Sequence, residues 1–106
     1  MTEPEFLAEC DRILQVIEDG LDRVEIDVDS ERSGNVLTLE FEDASKIIVN
    51  GNTPLREMWI AAKAGGYHFA KHPGGWIDSR GGDEFFESLS KLISQQSKTS
   101  VILLDR

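Results

Sequence analysis

Carboxylates are the chemically active groups that this sequence concentrates, and most of them lie in its first third. Residues 1–31 contain eleven Asp and Glu residues against two Arg residues, so this segment alone accounts for the net charge of −9 of the whole chain. Carboxylates without neighbouring His or Cys suit hard or borderline cations that accept oxygen ligands. A dense negative surface also suits a basic protein surface, and it disfavours nucleic acid and anionic membranes as partners. The sequence therefore predicts a site for cations or for a basic partner.

The carboxylates form two rows on two predicted elements. At the angular spacing of a helix, Asp11, Glu18 and Asp22 line up along one edge, beside the apolar stripe. Residues 24–31 alternate strictly between apolar and acidic side chains, which is typical of a half-buried strand. Because this strand follows the helix directly, we expect the two rows to lie side by side, with no local Lys or Arg to relieve their repulsion. The strand row consists of Glu25, Asp27, Asp29 and Glu31.

The spacing of apolar residues predicts two helices, one near each end of the chain. The first spans residues 4–21, and Gly20 weakens its last turn and helps to end it. The second spans residues 83–96, and Asp83 and Glu84 in its first turn suit the helix dipole. The predicted apolar stripes consist of Phe6, Leu7, Cys10, Ile13, Leu14, Ile17 and Leu21 in the first helix and of Phe85, Phe86, Leu89, Leu92 and Ile93 in the second, opposite Glu87, Ser88, Lys91 and Gln95.

Between the helices, short apolar runs separated by turn signals predict an antiparallel meander. The acidic strand at residues 24–31 is expected at the sheet edge, and residues 32–35 are predicted to form the turn that leads from it into the meander. Side-chain parity places Trp59 on the polar face of the sheet, beside Ile48 and Asn50. An aromatic side chain at such a position is a candidate contact residue for a partner. The inward positions are Leu37, Leu39, Phe41, Ile47, Val49, Met58, Ile60 and Ala62.

These elements predict a single α+β domain over residues 1–106. Helices at the two ends of the chain can cover one face of an antiparallel sheet, which gives a two-layer sandwich. The apolar residues 101–104 are expected to cover the core between the helices. The other face of the sheet then stays open, with Trp59 on it.

The remaining reactive residues are predicted to be structural or exposed. Cys10 falls within an apolar stripe, where a small buried hydrophobe is expected rather than a nucleophile or ligand. His68 and His72 are remote in sequence from the acidic rows and are not expected to bind metal. A single Cys fits a reducing compartment. Without an apolar run long enough to cross a bilayer or an Arg-rich leader, we expect a cytoplasmic protein.

Several segments closely resemble the bacterial frataxin family. They are residues 45–50 (SKIIVN), 54–55 (PL), 59–61 (WIA) and above all 63–69 (KAGGYHF). The Gly-rich segment before the Phe-Phe helix, Gln95-Gln96 near the end of that helix, and the acidic first helix and strand agree with the family as well. Ala44 is a departure, because the family usually has Gly in this turn.

The resemblance implies a non-enzymatic iron-binding protein of iron–sulfur cluster assembly. Such proteins bind ferrous and ferric iron weakly, with other divalent cations competing, and we expect a monomer in the absence of metal. They also dock on the basic surface of the cysteine desulfurase IscS and modulate its output. Carried onto this chain, the metal-binding residues implied by the resemblance are Glu18, Asp19, Asp22, Asp27, Asp29 and Glu31. Asp11 is included as well, because it lies in the same helix row as Glu18 and Asp22. We call these seven carboxylates the acidic ridge.

The same resemblance implies two contact regions for the assembly machinery. Glu18 and Asp22 of the helix, with Asp27 and Asp29 of the strand, are the expected contacts with the desulfurase. Trp59 matches an exposed sheet tryptophan of the family, which implies contact with the iron–sulfur scaffold complex. Asn50 lies beside it.

Two other classes of function are open on the residues alone. A protein-interaction module that regulates the desulfurase without any metal-delivery role would need the same negative surface. A hydrolase using paired carboxylates is disfavoured, because the acids lie on a convex ridge without a nucleophile or an evident cleft.

Overall fold

Two helices and a six-stranded sheet form the fold in the computed structural model, which describes residues 1–105. The helices are α1 (Glu3–Arg23) and α2 (Phe85–Ser97). The strands are β1 (Val28–Ser33), β2 (Val36–Phe41), β3 (Lys46–Asn52), β4 (Glu57–Ala62), β5 (Gly65–His72) and β6 (Gly75–Asp78). Consecutive strands pair antiparallel in the order β1 to β6, so β1 is an edge strand, as expected. The helices pack on one face of the sheet, which confirms the predicted two-layer α+β sandwich.

Helix α1 begins at a capping box. Thr2 Oγ1 accepts a hydrogen bond from the amide of Glu5 at 3.3 Å, and Glu5 Oε1 accepts one from the amide of Thr2 at 2.8 Å. The predicted stripe is buried except for Leu7, which is 38% exposed. The prediction for Leu7 was wrong because the contact with the sheet covers a narrower arc of the helix than the apolar residues occupy.

Gly20 does not end α1, contrary to the prediction. The helix continues to Arg23, and the residue that follows it, Val24, is extended. A side chain at Gly20 would place its Cβ 2.8 Å from Leu103 Cδ2. The glycine therefore lets the C-terminal tail lie directly against the helix, and its role comes from a contact distant in sequence.

The first strand and its turn differ from the prediction at both ends. Residues 24–27 are not in the sheet, because Val28 already pairs with Phe41, the last residue of β2. The predicted turn at residues 32–35 was wrong in its first half, since β1 extends through Ser33. The turn itself consists of Gly34 and Asn35, and Gly34 has a φ of 58°, which glycine adopts at little cost.

The sheet obeys the predicted alternation of faces. Every inward position in β2, β3 and β4 is buried except Ala62, which is partly buried at the end of β4. On the opposite face Asn50, Trp59 and His68 stand directly across from one another on β3, β4 and β5. The parity argument that placed Trp59 outside the core is thereby confirmed.

Helix α2 begins two residues later than predicted. Glu84 is its N-cap, and the carboxylate of Glu84 accepts hydrogen bonds from the amides of Phe86 at 2.9 Å and of Glu87 at 3.1 Å. Asp83 and Glu84 therefore precede the helix. Ser88, predicted on the outer side, is only 9% exposed and lies on the buried side.

The side chain of Gln96 connects the end of α2 to two hairpin turns by hydrogen bonds. Its Oε1 accepts a hydrogen bond from the amide of Lys63 at 3.0 Å, and its Nε2 donates to Ser45 Oγ at 3.0 Å and to the carbonyl of Lys46 at 3.2 Å. The side chain is 8% exposed, so these bonds satisfy a buried amide.

None of the helices within residues 1–105 is both long and apolar enough to span a membrane.

The tail covers the core with alternate residues. Val101 and Leu103 are buried, whereas Ile102 is 73% exposed. Two serines of α2 hold the tail backbone, because Ser94 Oγ accepts from the amide of Val101 at 2.9 Å and Ser90 Oγ accepts from the amide of Leu103 at 2.8 Å. The expectation that residues 101–104 cover the core is correct for the two inward side chains.

Leu103 and Ile102 provide a matched test of this packing. Leu103→Ala should lower the free energy of unfolding by about 2–4 kcal/mol, because it opens a cavity against α1. Ile102→Ala should change it by less than about 0.5 kcal/mol, because that side chain is already in solvent. Urea unfolding of both variants measures the difference. Equal effects would show that the tail is not packed as described.

The turn between β2 and β3 contains an alanine in a left-handed conformation. Ala44 has a φ of 69°, which is unfavourable for a residue with a Cβ. We expect Ala44→Gly to raise the free energy of unfolding by about 0.5–1 kcal/mol. Ala64→Gly, in the turn between β4 and β5 and without a positive φ, should instead lower it slightly. Thermal unfolding of both variants checks the prediction, and stabilisation by both would contradict the conformational explanation.

Candidate functional site

The structure places β1, the strand that carries Asp29 and Glu31, alongside α1, the helix that carries the helix row of carboxylates. Helix α1 ends at Arg23, and residues 24–27 connect it to the edge strand β1. Arg32, near the end of β1, contacts Asp11 and Glu18 of α1. The strand therefore runs back along the helix, and the acidic ridge follows this boundary between α1 and β1.

Most of the acidic ridge is freely accessible to solvent. The side chain of Asp11 is 75% exposed, whereas that of Glu18 is 30% exposed. Asp19 accepts a hydrogen bond on Oδ1 from Gln15 Nε2 at 2.9 Å. The exposed members are Asp11, Asp19, Asp22, Asp27, Asp29 and Glu31.

The helix and strand carboxylates lie on different layers of the molecule. Asp29 stands opposite Glu40, and Glu31 stands opposite Thr38, on the face of the sheet that the helices do not cover. Directly opposed strand residues share a face, and Leu39 and Phe41 define the other face as the buried one. The two rows thus diverge from the edge of the sheet. Within residues 1–105, no three or more Asp, Glu, His or Cys side chains are grouped closely enough to hold a metal ion.

Arg32 corrects the expectation that no base lies near the two rows. Its Nη2 donates a hydrogen bond to Asp11 Oδ1, and its Nη1 lies 3.7 Å from Glu18 Oε1. Its Nε also donates to the carbonyl of Gly34 at 3.4 Å. Only 23% of the side chain is exposed. The sequence indicated the inward position of Arg32, because side chains alternate along a strand and Arg32 lies four residues after the inward-facing Val28.

Glu18 depends on this arginine. Its Oε1 atom is buried and has no hydrogen-bond partner in the described part of the protein. The guanidinium group of Arg32 is the cation beside it. Removing a charge partner from a partly buried carboxylate leaves that carboxylate desolvated without compensation.

Asp27 belongs to a second acidic surface at the end of the sheet. A shallow cavity there is lined by Glu25 and Asp27, by Glu42 and Asp43 of the turn after β2, and by the end of α2. Asp43 is engaged locally, because Ser45 donates to its Oδ1 from both the hydroxyl, at 2.6 Å, and the amide, at 3.0 Å. These hydrogen bonds lower the pKa of Asp43.

Trp59 lies on the open face of the sheet but is only partly exposed. Its ring stacks on that of His68, with centroids 4.2 Å apart and planes 8° from parallel. Its Nε1 donates to Glu57 Oε1 at 2.9 Å. Asn50 stands directly across from it on β3. We call Trp59, His68 and Asn50 the aromatic patch.

His68 is the member of this patch that sequence reasoning missed. In sequence it is remote from the acidic rows, and its pairing with Trp59 depends on where the β4–β5 turn lies. That turn is formed by Lys63 and Ala64, since Gly65 and Gly66 already belong to β5. Half of the His68 side chain is exposed, at 49%. His72 is exposed at the end of β5.

Cys10 is a buried packing residue. It is fully buried, and its Sγ lies 3.6 Å from Met58 Sδ. Burial, together with the nearby charge of Glu9, raises the pKa of the thiol to about 11, so the reactive thiolate is disfavoured. This agrees with the predicted role as a small hydrophobe.

Comparisons with known proteins give a consistent match along the chain. The frataxin-like domain family matches residues 1–99. The iron–sulfur cluster assembly protein CyaY of Ralstonia nicotianae is 49% identical over 108 aligned residues, covering 98% of this chain and 96% of its own length. The CyaY of Paraburkholderia xenovorans is 53% identical over 97 aligned residues, covering 92% of each chain.

Solved structures agree with this match. Frataxin from Psychromonas ingrahamii superposes with a TM-score of 0.90 at 41% identity, covering 96% of this chain and 97% of that one. A trimeric frataxin from Saccharomyces cerevisiae, complexed with ferrous, superposes with a TM-score of 0.72 at 24% identity, covering 86% of this chain and 87% of that one. At that identity the yeast protein supports the fold alone.

Proposed function

Because the chain belongs to the frataxin-like family, we propose that it is an accessory protein of iron–sulfur cluster assembly. In this proposal the acidic ridge binds ferrous or ferric iron weakly and docks on the basic surface of a cysteine desulfurase. The protein performs no chemistry of its own and acts in the cytoplasm. The observation that carries the proposal is a run of exposed carboxylates within residues 1–31, the segment whose net charge of −9 equals that of the whole chain.

The exposure of the carboxylates determines what kind of metal binding they can support. Asp22, Asp27 and Asp29 remain hydrated, so an incoming ion exchanges only some of its water ligands for protein oxygen atoms. Oxygen ligands on a flexible surface discriminate poorly among iron, manganese and cobalt. Weak and exchangeable binding suits a protein that passes an ion on.

The same charges suit docking on a basic protein. A surface of one sign attracts a surface of the opposite sign over about a Debye length, which raises the rate of encounter and makes affinity depend on salt. Residues 32–106 carry as many bases as acids, so the attraction is directional. Docking through α1 and the edge strand β1 leaves Trp59, on β4 of the open face, free for another contact.

The aromatic patch supports a second contact in this proposal, with the scaffold complex. The orientation of the Trp59 ring is fixed by stacking on the His68 ring and by its hydrogen bond to Glu57. A rigid aromatic side chain loses little conformational entropy on binding and is a typical anchor of interfaces. Asn50 next to it can donate and accept hydrogen bonds at the rim.

An interaction module that regulates the desulfurase without delivering metal is the second candidate. It is favoured by the divergence of Asp29 and Glu31 from the helix carboxylates. Carboxylates on two layers can contact a broad basic surface, whereas convergent ones are needed to chelate a single ion. The two candidates make different predictions for metal titration.

The metal-binding part of the proposal predicts where a paramagnetic ion acts. Titration with Mn²⁺ should broaden amide NMR signals within residues 11–31 first, because the exposed carboxylates lie there. The signals of His68 and His72 should stay sharp at the same metal concentrations. Broadening centred on either histidine, or binding with nanomolar affinity at one site, would contradict metal binding by the acidic ridge.

The docking part predicts that charge on the ridge controls desulfurase binding. Replacing Asp22 and Asp29 together by Lys should abolish binding at low salt while the fold survives, because both side chains are exposed. The pair Asp83→Lys and Glu87→Lys changes the net charge equally near α2 and should leave binding nearly unchanged. Binding of the wild type itself should weaken steeply as salt is raised.

Trp59→Ala serves as the contrasting variant in the same assay. It removes an apolar anchor, so any loss should vary little with salt and should require the scaffold protein. If the ridge reversals leave desulfurase binding unchanged while Trp59→Ala removes it at every salt concentration, the acidic ridge is not the docking surface.

A further inference from the structure

Arg32 occupies one end of the acidic ridge. Its guanidinium group donates to Asp11 and lies 3.7 Å from Glu18 Oε1, so one cation joins two carboxylates of α1 to the edge strand. The arginine is itself mostly buried, with 23% of its side chain exposed. In the part of the chain that the structure describes, the other ridge carboxylates have no ion pair with Lys, Arg or His.

The position of Arg32 in the sheet explains why it is held there. It stands opposite the buried Leu37 on the side of β1 that faces the helices. At the edge of the sheet, the guanidinium of a long side chain can reach past the core to the carboxylates of α1. Its Nε is also fixed by the carbonyl of Gly34 at 3.4 Å, within the same hairpin. The charge is therefore positioned by the strand and its turn.

We propose that Arg32 is a built-in counter-ion that closes the Asp11–Glu18 end of the ridge to external cations. Metal ions and basic partner groups are thereby directed to the other end, where Asp22 and Asp27 have no such partner. This inference rests on the proposed function of the ridge and specifies which part of the ridge is available.

Competition between cations is the physical basis. A divalent ion that binds Asp11 or Glu18 must displace the guanidinium or approach a like charge at short range, and both are unfavourable. Of the two carboxylates, that of Glu18 depends more on the charge of Arg32, because its Oε1 atom is buried without a hydrogen bond. A carboxylate in that state is stabilised by a fixed charge beside it. Arg32 thus supports the local structure and blocks the site at once.

Arg32→Gln tests the proposal by removing the charge while keeping a polar side chain. Mn²⁺ titration followed by amide NMR is the measurement, and it needs no enzymatic readout. In the wild type, the broadening within residues 11–31 should be centred on residues 19–29 and should be weakest near Asp11. In Arg32→Gln, broadening should extend to Asp11 and Glu18, with Mn²⁺ affinity higher on the order of tenfold. Lys91→Gln, an equal charge change on α2, should alter neither.

The outcomes separate this inference from the proposed function. If the wild type binds Mn²⁺ and Arg32→Gln neither gains affinity nor spreads the broadening, the counter-ion role is wrong while metal binding stands. If only Arg32→Gln binds, the counter-ion role is confirmed and metal binding by the natural protein is wrong. If neither protein binds Mn²⁺, both are wrong.

Single neutralisations in the wild-type chain keep the test decisive if Arg32→Gln fails to fold. Asp11→Asn should lower Mn²⁺ affinity far less than Asp22→Asn does, because Arg32 already pairs with that carboxylate. Asp22→Asn should lower it roughly threefold or more, because that carboxylate is exposed and open. An equal loss in both variants would overturn the proposal. Arg32→Lys, which retains the charge, should match the wild type.

Discussion

The close approach of α1 to the sheet is the constraint on which the rest of the structure depends. Gly51 of β3 has no side chain, and a Cβ at this position would overlap with Cys10 Sγ. Because the Cys10 thiol is small and Gly51 has no side chain, α1 can pack closely against the centre of the sheet. Six residues of α1 are buried as a result, and the helix edge is brought against β1. Any larger residue at either position would lift the helix away from the strand that carries the second row of carboxylates.

This packing maintains an arrangement of charges that would otherwise repel itself. Neighbouring like charges on helices and strands cost a few tenths of a kcal/mol per pair. Burial of a single large aliphatic side chain contributes about 1.5–3 kcal/mol, so the apolar stripe of α1 outweighs the repulsion along its edge. Arg32 reduces the repulsion at one point, between Asp11 and Glu18. The charges that remain unrelieved are the ones that the proposed function assigns to cations and partners.

The edge strand connects the two surfaces that the proposed function uses. Asp29 and Glu31 lie on the same open face as Trp59, while Arg32 lies on the face toward α1. One short strand therefore contributes alternately to the sheet surface and to the boundary with the helix, because its side chains alternate. A partner docked on the ridge and another on the aromatic patch would meet along this face of the sheet.

The sequence by itself determined which helices and strands form and, apart from Leu7, Ser88 and residues 24–27, which side each one buries. Periodicities of 3.6 and 2 depend only on neighbouring residues, so they predicted both helices, the meander, the outward position of Trp59 and the location of the charge. Tertiary structure decided features that depend on residues far apart in the chain. Arg32 forms a hydrogen bond with Asp11, 21 residues away in sequence, and the absence of a side chain at Gly20 allows Leu103 to pack against α1. Sequence periodicity carries no information about which distant side chains meet, because strand register and helix placement fix those distances.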